Sequence, residues 1–524
     1  MKGHQKKLGK KIRIKNILKE VLYNSFAQAL NKIFTTKHLI LKFFLLFFVL
    51  TSSAIASFMV IHLIMEYFSY GVVTNTRTVF EIPTKFPQIT ICNYNMFTTE
   101  YALDFLRNFS EGMKKSPYDV NIFKKDEVMN ISYRLMLPKI AKFYKKVISY
   151  VNSQNFSDEN RKKLGHGLKD ILHNCRINTV ACDLNEFTWE FDPVYGNCYK
   201  FNTGYNSTGG KIDIKESNIA GPLNGLQFDL FVNVNEEIKE NYYSYLNNEP
   251  YSINFNALGA IIKIDNSSYL KDHSYNGGIK IASGFHTDLS IYRNFYFNLR
   301  KPYSNCELDN DQSIKDSKSD NSLLYLFLNS KYQYTQQSCV IQCFQLNVIN
   351  KCNCSYSSYF SLFNEKVCQE EITCAEQEWK SIFSSEKLKN GLNRVFYKDK
   401  IKNCLSLCPL ECNQTFYETK LSFLKTISWK FYHGLIERNL SSGFLTLPIS
   451  PEKALESFVS LNVFYESLSY SLTIESPQLD LFSLLASIGG NLGLILGVSL
   501  FSICELVEVL IEFYLFKPQR IYRI

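Results

Sequence analysis

Three glycines and three acids near the carboxyl end of this 524-residue chain carry the most chemical information. Gly489, Gly493 and Gly497 recur every four residues inside the uncharged run Leu481 to Cys504, which is 24 residues long. On a helix that spacing makes a stripe bare of side chains, along which another backbone can approach closely. Glu505, Glu508 and Glu512 follow at i, i+3 and i+7, one helical face. An ionised carboxylate facing lipid is costly, so these acids must face a partner, water or the cytosol. A ring of such faces around a symmetry axis would attract cations. Asn491 and Ser499 add polar groups on or near the same stripe. Spacing alone accommodates plain helix packing without a pore equally well, and a solvated helix end would account for Glu512.

These residues need an element to hold them, and the element is too long for one straight span. A helix from 481 to 516 would measure about 54 Å against a hydrocarbon core of about 30 Å, so it must tilt strongly, break, or run on into the cytosol. A second apolar run, Phe43 to Ile61, is nineteen residues without a charge. Ala54-Ile55-Ala56 resembles a signal-peptide cleavage site, but the apolar stretch continues past it to Met65 and the basic leader is far too long for an n-region. Charge is distributed around the two runs. Residues 1 to 42 carry eleven Lys or Arg against Glu20 alone, and Lys517, Arg520 and Arg523 stand unopposed at the other end. The middle is neutral, with 44 bases against 45 acids. Lys and Arg outside both runs predict cytoplasmic termini and a large extracellular loop. A basic segment abutting a span reads as a topology or membrane-surface signal rather than a nucleic-acid site.

Fourteen of the fifteen cysteines lie between the runs, and Cys504 lies within one. An even set in an oxidising compartment reads as a disulfide framework. Zinc is the alternative at Cys339-x3-Cys343, Cys352-x-Cys354 and Cys404-x3-Cys408, which lack the paired CxxC spacing of structural sites. Sequons at Asn108, Asn130, Asn155, Asn206, Asn266, Asn353, Asn413 and Asn439 fall in the same region as candidate glycosylation sites. The loop has no long Gly/Ser or Pro-rich linker and no internal repeat, so it reads as one ectodomain. Leu226, Phe228, Leu230, Val232 and Val234 alternate as a half-buried strand would, and so do Leu468, Tyr470, Leu472 and Ile474 just before the second run. A strand so placed could pull directly on the membrane helix. Tyr133 to Val151 looks helical although Pro138 interrupts it, and Cys339 to Cys412 reads as stapled rather than packed by a large core.

The chain resembles the epithelial sodium channel and degenerin family, which includes acid-sensing and peptide-gated channels. The resemblance rests on Phe86-Pro87-x-x-Thr90-x-Cys92-Asn93-x-Asn95, Gly196-x-Cys198-Tyr199-x-Phe201-Asn202, Asn224-Gly225-Leu226, and Gly489-Gly490, Gly493-Leu494, Gly497-x-Ser499 and Glu505. It implies an α+β membrane protein: two transmembrane helices flanking a large disulfide-rich extracellular domain with a β-sheet core and peripheral helices, assembled as a trimeric channel. The expected divisions are 1–38 cytoplasmic, 39–65 first span, 66–479 extracellular, 480–512 second span and 513–524 cytoplasmic, in the plasma membrane.

By resemblance the bridges would be Cys92–Cys198, Cys175–Cys182, Cys306–Cys412, Cys339–Cys408, Cys343–Cys404, Cys352–Cys374 and Cys354–Cys368, a connectivity that spacing cannot choose. Gly497, Val498 and Ser499 match a selectivity belt whose extended backbone turns carbonyls towards the ion path, tolerable at that depth because it lines water. Gly489, Gly490 and Gly493 would line the pore, Glu505 and Glu508 would concentrate cations below the belt, and Gly493 matches the amiloride-block position. Ala486 matches the small residue whose enlargement holds degenerins open. Tyr70 and Tyr303 match an aromatic pair that couples ectodomain to pore, with Tyr303 standing where relatives have Trp. The family's cytosolic His-Gly appears as His38-Leu39, which removes the close backbone approach glycine allows. Ser487 replaces an outer-pore Asp, which disfavours proton gating.

The expectation is therefore a subunit of a homo- or hetero-trimeric, amiloride-sensitive, sodium-preferring channel with no cofactor besides the permeant ion. It would be opened by a secreted peptide of the amidated-Phe type, with stretch and then protons as alternatives. A non-conducting cysteine-rich receptor or accessory subunit is the reading from another class. An ATP-gated purinergic channel shares the plan but not the FPQITICN segment or the cysteine count. An enzyme is not expected: no HExxH, phosphate loop or GxSxG occurs.

Overall fold

The computed structural model describes residues 36–112, 133–232, 257–266, 278–307, 334–369, 372–383, 402–426 and 457–497, together with single positions 33, 323, 326, 327, 330, 430, 499, 504 and 507. Its elements run α1 (Leu39–Phe68), β1 (Val72–Phe80), β2 (Thr84–Lys85), β3 (Gln88–Asn93), α2 (Glu100–Gly112), α3 (Tyr133–Asn152), α4 (Asp158–Leu164) and α5 (Leu168–Ile171). Then come β4 (Leu172–Ile177), β5 (Val180–Ala181), β6 (Phe187–Asp192), β7 (Gly196–Phe201), β8 (Glu216–Ser217), β9 (Leu226–Phe231), β10 (Gly259–Asp265), β11 (Ile279–Ala282), β12 (Phe285–Phe297) and β13 (Cys306–Glu307). The chain closes with α6 (Gln336–Cys352), α7 (Ile372–Phe383), β14 (Leu410–Glu411), β15 (Asn413–Lys425), β16 (Phe458–Pro477) and α8 (Leu481–Leu496). Two units divide these residues: one of 1–75, 301–304 and 475–524, the other of 76–300 and 305–474.

The smaller unit holds the two apolar helices, which pack on each other. α1 is thirty residues with only Ser52 and Ala56 buried. A helix apolar on every side, about 45 Å long, has no aqueous face, and among the described residues it is the one helix long and apolar enough to cross a bilayer.

The larger unit is built on two sheets that share a core. One has strand order β15-β12-β16-β9-β4-β5, with β1 also pairing β16; the other runs β11-β10-β3-β7-β6. Alternation decides which side chains face inward: Ile89 and Ile91 of β3, Phe201 of β7, Leu226 and Leu230 of β9, and Leu289 and Ile291 of β12 all join one buried cluster. β9 ends at Phe231, short of the Val234 expected from its alternation, which lies outside the described residues. β16 is twenty residues long, pairing antiparallel with β9 over Phe458 to Val463 and parallel with β12 along most of its length. Gly225 sits where β9 begins because a Cβ there would come 2.1 Å from the Val463 carbonyl oxygen.

The flanking helices form a second core. Leu103 and Leu106 of α2, Phe143, Val147 and Val151 of α3, and Leu164 of α4 interlock at helical spacing, and α3 runs through Pro138 without a break. The cysteine-dense segment is stapled and packed at once: Cys339 and Cys343, one turn apart on α6, bond Cys408 and Cys404, which are also four apart. Phe344, Val348 and Tyr356 are buried among these bridges. The remaining bridges are Cys92–Cys198, Cys175–Cys182, Cys306–Cys412, Cys352–Cys374 and Cys354–Cys368. Cys92 and Cys198 stand directly opposite on β3 and β7, with Cα atoms 4.3 Å apart.

Candidate functional site

α8 starts where Asp480 caps it, its carboxylate accepting the Ser483 N–H at 2.7 Å. It ends at Gly497, whose φ of +70° and ψ of 21° are left-handed and whose N–H still donates to the Gly493 carbonyl at 3.0 Å. That is the glycine stop of a helix, because only glycine takes this conformation without penalty. Sixteen residues span about 24 Å, so the helix covers most of a bilayer and then breaks. Ser499 is non-helical and exposed, while Cys504, a free thiol, and Val507 are helical again. Val498, Glu505 and Glu508 lie outside the described residues, as does Glu512.

Gly489, Gly490 and Gly497 face open space within the chain, whereas Gly493 is half-buried. A Cβ built on Gly489, Gly490 or Gly497 meets nothing within 4 Å. Packing against α1 therefore does not account for these three glycines, and Ala486 on the same helix is exposed too.

The approaches to the two helices are tied together inside the smaller unit. Tyr70, at φ +53°, stands edge-on to Tyr303, ring centroids 5.6 Å apart and planes at 87°. Gln478 donates its backbone N–H to the Gly71 carbonyl at 2.9 Å and its side-chain amide to Glu66 at 2.9 Å. Asn75 reaches Ser476 at 3.3 Å. Sequence reasoning passed over Gln478, a neutral polar residue without a motif. His38 occupies the N-cap position of α1, its carbonyl accepting the Lys42 N–H at 3.1 Å while its ring makes no capping bond; Leu39 is exposed.

Three cations of the larger unit, Lys200, Lys263 and Arg293, are buried or half-buried and paired with Glu190, Asp192 and Glu81. Burial would push the Asp192 carboxyl up, but the Lys263 ammonium at 2.8 Å and the N–H groups of Val194 and Tyr195 outweigh it and hold the group below its ordinary value. Of the sequons, Asn108, Asn155, Asn353 and Asn413 are exposed, Asn206 and Asn266 are half-buried, and Asn130 and Asn439 lie outside the described residues. Among the described residues no cluster of His, Cys, Asp or Glu is arranged to hold a metal ion.

The chain is similar in sequence to known proteins over most of its length. The family described as "Amiloride-sensitive sodium channel" matches residues 21–509. The epithelial sodium channel alpha subunit of Mus musculus is 25% identical over 349 residues, 66% of this chain and 43% of that protein. The FMRFamide-activated amiloride-sensitive sodium channel of Cornu aspersum is 24% identical over 569 residues, 95% of this chain and 83% of that one. A degenerin of Caenorhabditis briggsae is 25% identical over 387 residues, 72% and 45% of the respective chains. The chain thus spans less than half the length of the epithelial subunits it matches.

Proposed function

The chain belongs to the amiloride-sensitive sodium channel family, and from that premise we propose that it is one subunit of a trimeric, amiloride-blocked, sodium-preferring channel opened from outside the cell by a secreted peptide. The observation that carries the reading is the left-handed stop at Gly497 on a helix whose Gly489 and Gly490 face open space. Three copies around an axis would turn that face and the backbone of Gly497, Val498 and Ser499 towards the ions, with Glu505 and Glu508 drawing cations below. Gly493 would contribute to amiloride block, and Ala486 would sit where added bulk jams the open state. Both termini are assigned to the cytoplasm and the disulfide-bonded unit to the outside, in accord with the basic flanks.

Peptide gating is favoured over stretch or protons because the peptide-activated relative is matched over 95% of this chain. Proton gating has less support, since Ser487 puts no carboxylate at the mouth. Voltage-clamp recording of the chain, alone and with related subunits, should show an amiloride-blocked inward sodium current during application of amidated peptides. Current that appears only on stretch or acidification would replace the peptide with that stimulus. No alkali-cation current under any combination would refute the channel reading and leave an accessory or receptor subunit.

A further inference from the structure

The inward face of β12 changes character halfway along. Leu289 and Ile291 belong to the sheet core, and after a register shift the same alternation brings up Arg293, Phe295 and Phe297. Arg293 lies in a row across three strands, with Tyr417 of β15 on one side and Tyr470 of β16 on the other. Its side chain is 5% exposed. The guanidinium is held by Glu81 at 2.6 Å and Thr84 at 3.2 Å and stands 5.2 Å from the Tyr465 ring and 5.1 Å from that of Tyr470. Its Nε is buried without a hydrogen-bond partner. In front of this row is a cavity of about 330 Å³ that Lys85 of β2 and Leu472 of β16 also line.

We propose that this cavity binds a small amphipathic organic anion, a carboxylate carried on an aromatic or aliphatic body. The volume is that of a small-ligand site, and the walls combine four rings and one Leu with three charged side chains and the sequon residue Asn266. Its charged groups are two cations and one acid, and the acid is already engaged by Arg293. Lys85 is exposed and has no carboxylate partner among the described residues, so its ammonium is available for the head group. The Arg293–Glu81 pair is close to neutral, so Lys85 supplies the net positive charge of the site, and the flat body would lie on Phe295 and Tyr470. Because β16 continues along the chain into α8, an occupant resting on it touches the strand that leads to the channel helix. The site itself does not depend on conduction.

Saturation-transfer NMR titrations on the full chain in lipid nanodiscs, with empty discs subtracted, would compare 4-phenylbutyrate, its neutral amide and 4-phenylbutylamine. The carboxylate should bind saturably, at least about tenfold tighter than the amide or the amine, the ratio one charge-assisted hydrogen bond supplies. Lys85→Gln, at an exposed position, should abolish that preference, and Phe297→Ser should weaken the carboxylate without reversing the order. Equal binding of all three probes, tighter binding of the amine, no saturable binding, or an undiminished preference in Lys85→Gln would each overturn the proposal.

Discussion

Replacing Gly497 by alanine isolates the backbone stop of α8 from every other property of that position. The glycine has φ +70°, and a Cβ there would meet nothing within 4 Å, so the new methyl group clashes with no neighbour. What changes is the conformational preference: an L-residue in the left-handed region costs about 1–2 kcal/mol. That energy favours right-handed continuation over the break by a factor of roughly 5 to 30. Continuing the helix past 497 would fold the carbonyls of Gly497 and its successors back into helical hydrogen bonds, away from the ion path proposed above. The assay is the reversal potential under sodium against potassium gradients, on Gly497→Ala and Gly497→Asn side by side. Asparagine tolerates left-handed backbone better than alanine although its side chain is larger. The expected outcome is loss of sodium preference in the alanine channel and a smaller loss in the asparagine channel. Wild-type preference in Gly497→Ala, or a worse defect in Gly497→Asn, would refute the argument that conformation rather than space sets this site.

Removing Tyr70 and Tyr303 singly and together to alanine should give a coupling energy of about 0.5–1.5 kcal/mol, the worth of an edge-on ring pair, read as non-additive shifts of the half-activating stimulus; Tyr303→Trp should keep the coupling. Asp192 is held below its ordinary value in the fold, so its contribution to stability is present above about pH 3.9 and is lost as pH falls through the lower folded value. Asp192→Asn should remove that acid-dependent part of the melting curve and destabilise at neutral pH by about 3 kcal/mol, the lower end for a broken buried pair, since Lys263 at 16% exposure keeps only the Asp265 charge. Bridges Cys339–Cys408 and Cys343–Cys404 close loops of 69 and 61 residues. Because they are nested one turn apart, deleting either alone leaves only a small extra loop free and should cost about 2–3 kcal/mol, whereas deleting both should cost about 4 kcal/mol or more, measured by denaturant unfolding.

The two apolar runs were legible because a bilayer dictates their length and composition, and α1 follows its run closely. The break in α8 was not: Gly497 looks like its stripe-mates Gly489 and Gly493 in the sequence, and only its backbone angle sets it apart. β16 was visible from Leu468 onward, where residues alternate, but not at Phe458–Val463, where both faces are buried and the pattern is lost. Gln478 and Arg293 were invisible because their partners, Gly71 and Glu66 in one case and Glu81 and Tyr470 in the other, are far away along the chain. The contact of Tyr70 with Tyr303 has the same remoteness, and only a family likeness suggested it.

The bridges fall into two closed sets, one within residues 92–198 and the other within 306–412. No sulfur link crosses the interval 199–305. A protease that nicks the backbone between Cys374 and Cys404 leaves both pieces covalently joined, and the nicked protein migrates as one band until a reducing agent is added. A single cut between 199 and 305 yields two separate polypeptides even under oxidising conditions, held only by strand pairing and buried side chains.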